Sequence, residues 1–319
     1  MPKQGPTERT IELEKNMMGK EKVEVNMTRM LIIGGTGGTG SQFARFFKDK
    51  GLDLAVWGPS KKVNVAERLG VRFAHDVREE IKLCDIVLLS IPIERTVEVI
   101  EDLCPGMKPG SLLMDVTSLK TEPMEAMTRC APPGVEVLGT HPMFGPTMTT
   151  IRGQTIILTP ADGRCKRWLP IIKSMLEEDD ARVEILSPEE HDEMMAVVQA
   201  LTHFAYIGIG STLKALDFDV SRSRRFVSPV YDIMLDFVGR ILDQSPELYA
   251  SIQKNPKAAR VRRVFIEECK NLCQEAESEG LDGFEEMMTA AAKHFGETHQ
   301  ALERSDALIK RRIGNKNKE

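Results

Sequence analysis

The segment Met30-Leu31-Ile32-Ile33-Gly34-Gly35-Thr36-Gly37-Gly38-Thr39-Gly40 decides the fold of this chain. Its four leading apolar residues predict a short strand that is buried on both faces. The glycines that follow match the pattern Gly-x-Gly-x-x-Gly, and a segment with helical periodicity, residues 41–50, comes directly after them. A strand, a glycine-rich turn and a helix in this order are typical of a dinucleotide-binding domain.

The glycine-rich turn is predicted to hold the phosphates of a dinucleotide cofactor. Backbone N–H groups and the positive end of the helix dipole attract anions at such a turn. The first glycine permits the tight turn, the second lets the backbone approach the pyrophosphate, and the third lets the helix pack on the strand. The predicted cofactor-binding residues of the turn are Gly35, Thr36, Gly37, Gly38, Thr39 and Gly40.

Apolar strand-like segments alternate with helical ones through the first half of the chain. The predicted strands are 30–33, 52–57, 71–74, 85–90, 111–116, 135–138 and 155–158, with helices at 41–50, 63–69 and 96–104. This alternation predicts an α/β domain with a Rossmann-type, doubly wound parallel sheet. After about Ser187 only helical patterns remain, at 188–216, 229–242, 246–254, 258–279 and 284–304, which predicts an all-α C-terminal domain.

The length of 319 residues exceeds one ordinary core and predicts two domains. We expect a dinucleotide-binding domain over residues 28–186 and a helical domain over residues 187–310. Residues 1–27 form a charged tail, for which a short helix and disorder both stay open, and residues 311–319 form a basic C-terminal tail. The apolar run within residues 194–209 requires burial, either inside its own domain or against a second subunit.

Composition excludes several classes of protein. A formal net charge of −5 argues against nucleic-acid binding by the whole chain. No apolar run approaches the roughly 20 residues of a membrane helix, and the N-terminus has no signal-peptide pattern. The six cysteines show neither a CxxC pair nor the spacing of metal ligands. We therefore expect a reduced, cytoplasmic protein without a metal site.

The loop after the second strand bears on the choice of nucleotide. NAD-binding domains usually place an acidic residue there to hold the ribose 2′-hydroxyl. This chain has no acid after Trp57 and continues instead with Gly58-Pro59 and three candidate ligands, Ser60, Lys61 and Lys62. A hydroxyl and two ammonium groups suit a 2′-phosphate, so the pattern favours NADP within an NAD(P) assignment. An exposed lysine-bearing loop with no ligand is the alternative.

A histidine between turn-forming residues is the candidate general base. His141 begins the stretch His-Pro-Met-Phe-Gly-Pro, residues 141–146, after a predicted strand. Such a side chain can accept a proton at neutral pH. Ser118 and Lys120 follow the fifth predicted strand at the same expected edge, where they suit a substrate hydroxyl and a carboxylate. Their alternatives are a helix N-cap and a solvated charge.

Two further polar residues lie on largely apolar helices. His203, within Gln-Ala-Leu-Thr-His-Phe at residues 199–204, needs a partner if it is buried. Arg240 follows Phe-Val-Gly and could bind a carboxylate in bidentate fashion. An ion pair with Asp236 or Asp243 is the alternative for Arg240.

Together these motifs resemble those of prephenate dehydrogenases of tyrosine biosynthesis. The likeness extends from Met30 to about Leu308, and the Gly-Gly-Thr-Gly-Gly turn is most similar to archaeal members. The motifs that carry it are Asp115-x-x-Ser118-x-Lys120, residues 141–146, residues 199–204, Ser228-Pro229-Val230-Tyr231, Val238-Gly239-Arg240 and His294-Phe295-Gly296-Glu297.

The resemblance implies oxidative decarboxylation of prephenate to 4-hydroxyphenylpyruvate with hydride transfer to NAD(P). It gives His141 the role of catalytic base, and it makes Ser118 the residue that orients the hydroxyl and the nicotinamide. It implies that Lys120, Arg240 and His203 bind substrate. It also implies that the all-α C-terminal domain is a substrate and dimerisation domain through which the protein forms a homodimer. The 26 residues before Met27 cannot form the chorismate mutase domain of bifunctional members, so a monofunctional enzyme is expected.

One departure and three alternatives remain at this point. Bifunctional members have an arginine after Ser-Pro-x-Tyr where this chain has Asp232, with the cluster Arg222, Arg224 and Arg225 nearby in sequence as a substitute or as surface charge. Arogenate is an alternative substrate. More distant alternatives are a deazaflavin-dependent NADP reductase and a nucleotide sensor without catalysis.

Overall fold

The computed structural model describes residues 28–316, with side chains as far as residue 313. The chain divides into two compact units between Met195 and Ala196, nine residues beyond the domain boundary predicted from sequence. The predicted charged tail over residues 1–27 lies outside the described residues, as do residues 317–319.

The N-terminal unit is built on one eight-stranded sheet with the order β3-β2-β1-β4-β5-β6-β7-β8. Its strands are β1 (Arg29–Ile33), β2 (Asp53–Trp57), β3 (Arg72–Phe73), β4 (Ile86–Leu89), β5 (Leu112–Asp115), β6 (Glu136–Pro142), β7 (Thr155–Pro160) and β8 (Arg182–Ile185). All neighbouring strands are parallel except β6 and β7. The predicted Rossmann-type parallel sheet is therefore confirmed.

Two features of the sheet were not predicted. β8 is mostly exposed, so its sequence lacks the apolar run by which buried strands are recognised. β7 runs antiparallel to β6 because residues 143–154 between them form no helix in the structure. A parallel connection usually needs such a crossover helix.

Helices cover both faces of the sheet. They are α1 (Gly38–Asp49), α2 (Val63–Leu69), α3 (Val77–Leu83), α4 (Ile93–Leu103), α5 (Thr121–Cys130), α6 (Trp168–Glu177) and α7 (Pro188–Met195). One apolar layer holds Phe43 and Phe47 of α1 with Ile172 of α6. The other holds Ile100 of α4 and Met127 of α5. Strand β1 is completely buried between these layers from its second residue onward, as its sequence predicted.

The turn after β1 requires glycine at two positions for different reasons. Gly34 adopts a φ of +85°, a conformation that side chains with a Cβ rarely take. Gly35 lies so close to β2 that a Cβ on it would stand 2.6 Å from the side chain of Val56. The chain can therefore turn tightly from β1 into α1.

The C-terminal unit is helical, as predicted. It begins with a π-helical segment, Ala196–Leu201, and continues with α8 (Thr202–Ala215), α9 (Val220–Ser223), α10 (Pro229–Leu242), α11 (Pro246–Gln253), α12 (Ala258–Ala276), α13 (Asp282–Phe295) and α14 (Thr298–Lys316). The predicted helix over residues 284–304 is two helices, because Gly296 ends α13 with a φ of +80°.

The last helix continues into the predicted basic tail over residues 311–319. α14 remains helical to Lys316, and Arg312 holds it to α10. The guanidinium donates to Asp232 Oδ2 over 2.8 Å and lies 2.7 Å from Asp236 Oδ2. Arg224 contacts the same two carboxylates at 3.0 and 3.2 Å. Part of the cluster proposed as surface charge thus forms an ion-pair network around the buried Asp232.

The expectation that no apolar run approaches the length of a membrane helix is wrong for one stretch of the described chain. Pro188–Ala215 is long and apolar enough to cross a membrane by length and composition, with a mean hydropathy of 1.3. A single helix of this kind also occurs in the cores of soluble proteins. This one begins with Glu189 and Glu190 and carries His191 and Asp192 within its first turns.

Replacing Arg312 should loosen the C-terminal unit. Arg312→Ala removes a cation from Asp232 and Asp236, so the thermal midpoint of the protein should fall by a few degrees. The neighbouring Arg311→Ala is the matched control, because Arg311 is exposed, and it should leave the midpoint unchanged. Equal midpoints for the two variants, measured by circular dichroism, would show that the network does not hold α14.

Candidate active site

The register of the sheet brings the predicted chemical groups to one edge. Ile33 of β1, Leu89 of β4, Asp115 of β5 and Gly139 of β6 lie in one row across four parallel strands. The glycine-rich turn, the Ser118 loop and His141 each begin within three residues of that row. All three therefore emerge at the carboxyl edge, where open α/β sheets bind ligands.

The loop that follows His141 packs directly against the glycine-rich turn. A Cβ placed on Gly38 would lie 2.9 Å from Pro146 of this loop. The side-chain amide of Gln42, in the second turn of α1, donates to the Met148 carbonyl over 2.7 Å. The chain segment carrying the candidate base thus contacts the N-terminus of α1.

The start of α1 fits the pyrophosphate of a dinucleotide. Its N-cap residue, Gly37, supplies no side-chain hydrogen bond, and no acidic residue occurs in the first turn. The described part of the chain therefore leaves the leading N–H groups of α1 without a side-chain acceptor at this cap. Such N–H groups, aligned with the helix dipole, hold phosphate oxygens.

The lysine-bearing loop lies beside this turn. Ser60, Lys61 and Lys62 are all exposed and connect β2 to α2. A Cβ on Gly58 would lie 2.5 Å from Thr36 Oγ1, so the start of the loop contacts the turn. Both lysines are exposed, in a loop whose start contacts the turn, and such a loop suits contact with a 2′-phosphate.

His141 is buried at the end of β6, and its Nδ1 lies 2.8 Å from His191 Nε2. Burial lowers the pKa of His141 well below 6.5, and the nearby His191 and Lys120 lower it further. The imidazole is therefore neutral at physiological pH, as a general base must be.

Sequence reasoning missed the two residues that support His141. His191 Nδ1 lies 2.8 Å from Asp192 Oδ1, and both residues belong to α7. Burial raises the pKa of Asp192, but hydrogen bonds from His191 and Thr121 outweigh it and lower that pKa overall. The only sequence signal was a His-Asp pair, which lies among Glu189, Glu190 and Glu193 and looks like the exposed first turn of a helix.

Asp192 also fixes the segment that carries Ser118. Its two carboxylate oxygens accept the backbone N–H groups of Lys120 and Thr121, each over 2.9 Å, at the start of α5. The capping role considered for Ser118 is thus taken by a residue of α7. Ser118 itself is half-buried in the loop between β5 and α5.

Lys120 differs from its expected position at an open edge. Its side chain is fully buried and forms an ion pair with Asp115, while Nζ donates to Thr117 Oγ1 over 3.0 Å. Asp115 ends a strand that is covered on both faces, and a buried carboxylate requires a charged or hydrogen-bonding partner. Burial also lowers the pKa of the Lys120 ammonium, partly offset by Asp115.

The C-terminal unit brings His203 and Arg240 to one aromatic side chain. The rings of His203 and Tyr249 meet edge to face with centroids 4.6 Å apart. Burial raises the pKa of Tyr249, and the charge of Arg240 lowers it in part. Burial lowers the pKa of His203 to about 4, and its Nδ1 has no hydrogen-bond partner among the residues that the structure describes. Tyr249 was not predicted as part of this cluster.

A dinucleotide turn in contact with the loop of a buried, neutral histidine is the arrangement expected of a nicotinamide-dependent dehydrogenase. Two family models match the chain: the nucleotide-binding domain of prephenate dehydrogenase over residues 43–202 and its dimerization domain over residues 187–290. The chain belongs to the prephenate dehydrogenase family. The resemblance seen in the motifs is confirmed.

Curated relatives carry related names. A protein of Methanocaldococcus jannaschii named "Probable arogenate/prephenate dehydrogenase" is 42% identical over 83% of this chain, which spans 60% of that protein's length. The T-protein of Haemophilus influenzae is 29% identical, with coverage of 92% and 74%. The 4-amino-4-deoxyprephenate dehydrogenase of Streptomyces pristinaespiralis is also 29% identical, with coverage of 86% and 94%.

Solved structures share the fold. Prephenate dehydrogenase from Aquifex aeolicus, determined with hydroxyphenyl propionate and NAD+, aligns with a TM-score of 0.67 at 21% identity over 84% of this chain and 98% of that one. Synechocystis arogenate dehydrogenase aligns with a TM-score of 0.61 at 17% identity, with coverage of 89% and 99%. At these identities the similarity establishes the architecture.

The burial of Lys120 leads to a stability prediction. Lys120→Met leaves the Asp115 carboxylate buried without its cation and should lower the free energy of unfolding by ~3–5 kcal/mol. The double variant Asp115→Asn/Lys120→Met should lose less, because no unpaired charge remains. Urea denaturation measures both, and Lys166→Met, at an exposed position, is the control. A Lys120→Met protein with unchanged stability but weaker substrate binding would restore the contact role predicted from sequence.

Proposed function

We propose that this protein catalyses the NAD(P)-dependent oxidative decarboxylation of prephenate to 4-hydroxyphenylpyruvate, a step of tyrosine biosynthesis. The observation that carries the proposal is the packing of the His141 loop on the glycine-rich turn, which sets a buried, neutral base beside the cofactor site. The relatives named for prephenate, arogenate and 4-amino-4-deoxyprephenate support this class of substrate.

His141 would take the proton of the substrate 4-hydroxyl while the hydrogen on the same ring carbon leaves as hydride. The bound nicotinamide supplies the hydride acceptor. The O–H bond breaks as an N–H bond forms on His141, which leaves a ketone in the ring. The ring carboxylate then departs as carbon dioxide, and its electron pair completes the aromatic ring. His141 returns its proton to the resulting phenolate, so no net proton is released.

The proposed roles of the other predicted site residues depend on where each side chain lies. Ser118 would orient the hydroxyl and the nicotinamide, since its loop is fixed at the same edge by Asp192. On the helical unit, Arg240 would bind a substrate carboxylate, and His203 would lie near the substrate. Lys120 would support the Ser118 loop through its buried ion pair rather than contact substrate.

The nucleotide is proposed to be NADP in preference to NAD. Two exposed ammonium groups, Lys61 and Lys62, stand where an acidic residue would otherwise select a free 2′-hydroxyl.

We further propose a cytoplasmic homodimer formed through the helical unit. In the single chain α8 has no buried residue, and Val197 and Val198 just before it are each about half exposed. A soluble monomer rarely exposes such a surface, and a second copy of the unit would cover it. The match to a dimerization domain supports this assembly.

The reaction is tested by following reduced nicotinamide with prephenate or arogenate, each paired with NADP or NAD. We expect turnover with prephenate and a preference for NADP. Turnover with arogenate alone would keep the chemistry and change the substrate. Folded protein that is silent in all four mixtures would contradict the proposal and favour a nucleotide sensor or the deazaflavin-dependent reductase.

The role of His141 is tested in the same assay with His141→Asn. Loss of the base should reduce kcat by roughly 10²–10⁴-fold, the usual contribution of general base catalysis. Nucleotide affinity, measured by titration, should be preserved because His141 is not part of the glycine-rich turn. Equal turnover in the variant and the wild type would refute the mechanism.

The lysine loop is tested by Lys61→Ala/Lys62→Ala. Removing both cations should raise KM for NADP roughly tenfold, the effect of losing one charge-assisted hydrogen bond, and leave KM for NAD unchanged. Lys82→Ala is a matched control on an exposed lysine near the start of β4, at the opposite edge of the sheet. A parallel rise for NAD and NADP would show that the loop does not recognise the 2′-phosphate.

A further inference from the structure

We propose that His191 is a positioning residue that fixes the tautomer of His141, with the proton on Nδ1 and a bare Nε2 as the atom that accepts the substrate proton. The inference rests on the proposed function of His141 as the base. It follows from the direction of two hydrogen bonds that lead from Asp192 through His191 to His141.

The direction is set at Asp192. Its carboxylate accepts the backbone N–H groups of Lys120 and Thr121, which can only donate. An ionised carboxylate has no hydrogen to give. The 2.8 Å contact between Asp192 Oδ1 and His191 Nδ1 therefore has His191 as its donor.

The same logic extends one residue further. A neutral imidazole has one donor nitrogen and one acceptor nitrogen. With its proton on Nδ1, His191 presents Nε2 as an acceptor toward His141 Nδ1, 2.8 Å away. His141 must then donate from Nδ1, which leaves its Nε2 without a proton.

The opposite arrangement requires a doubly protonated His191. The charged groups around that ring are Asp192, Lys120 and Asp115. Burial outweighs the hydrogen bond to Asp192 and lowers the pKa of His191, so the ring is neutral at physiological pH. Around His141 the corresponding groups are His191, Lys120 and Asp192.

The arrangement also serves the protonated base. When His141 Nε2 takes a proton, the new positive charge lies one hydrogen bond from His191 and two from the Asp192 carboxylate. His191 and Asp192 both belong to α7, and Asp192 is hydrogen-bonded to the start of α5. Two helices therefore fix this series of hydrogen bonds. The logic is that of a base oriented by a neighbouring acceptor, with a second histidine inserted before the carboxylate.

Nitrogen NMR of histidine-labelled protein at neutral pH tests the tautomer directly. We expect Nδ1 protonated and Nε2 unprotonated in both His141 and His191, with the signals assigned by their loss in His141→Gln and His191→Gln. A proton on His141 Nε2 would overturn the inference. Because the measurement uses no substrate, its outcome is independent of whether prephenate is the substrate.

Kinetics of variants at position 191 test the consequence. His191→Leu removes the acceptor and should lower kcat by roughly 10²-fold, at the low end of general base catalysis, with KM and nucleotide affinity unchanged. His191→Gln keeps an amide oxygen that can accept from His141 Nδ1 and should recover part of that loss. Equal losses in the two variants would contradict a role through hydrogen-bond direction.

A matched histidine control completes the series. His299→Leu replaces an exposed histidine of α14 and should leave kcat unchanged. Were His191→Leu to yield no folded protein, the NMR result on the wild type would still decide the inference, since it needs no change at position 191 to locate the proton on His141.

Discussion

The parallel register of β1, β4, β5 and β6 is the constraint on which the chemistry of the N-terminal unit depends. These strands are buried on both faces and hydrogen-bonded in register, so their carboxyl ends meet at one edge. The turn after β1, the Ser118 loop after β5 and His141 of β6 are brought together there, although about a hundred residues separate the first from the last. Contacts between the loops, chiefly Pro146 on Gly38, then fix the positions of the loops at this edge.

Buried charged side chains stabilise the loops at this edge of the sheet. Asp115 and Lys120 neutralise each other beneath the Ser118 loop, and Asp192 joins the start of α5 to α7 through backbone N–H groups. Both carboxylates would be costly to bury alone, so each requires its partners in place. The same Asp192 sets the hydrogen-bond direction toward His141, and stability and catalysis thereby share one group.

The sequence predicted the architecture because the strongest signals are local. An apolar strand, a glycine turn and a helix identify their fold within twenty residues, and helical periodicity identified the C-terminal unit. Contacts between distant segments were not predictable in this way. His191 looks like part of an acidic helix start, and Lys120 looks like a ligand for a substrate carboxylate or a solvated charge. Gly296 alone did not reveal that a predicted helix is two. The role of each of these residues depends on contacts or backbone geometry that only the folded chain shows.

In the proposed reaction one site removes a hydride, a proton and carbon dioxide from one substrate. It is tested most directly with prephenate deuterated at the ring carbon that bears the hydroxyl, incubated with the protein and oxidised nicotinamide cofactor. We expect deuterium in the reduced nicotinamide and one carbon dioxide released for each cofactor reduced. Reduced cofactor without carbon dioxide, or deuterium lost to water, would contradict it.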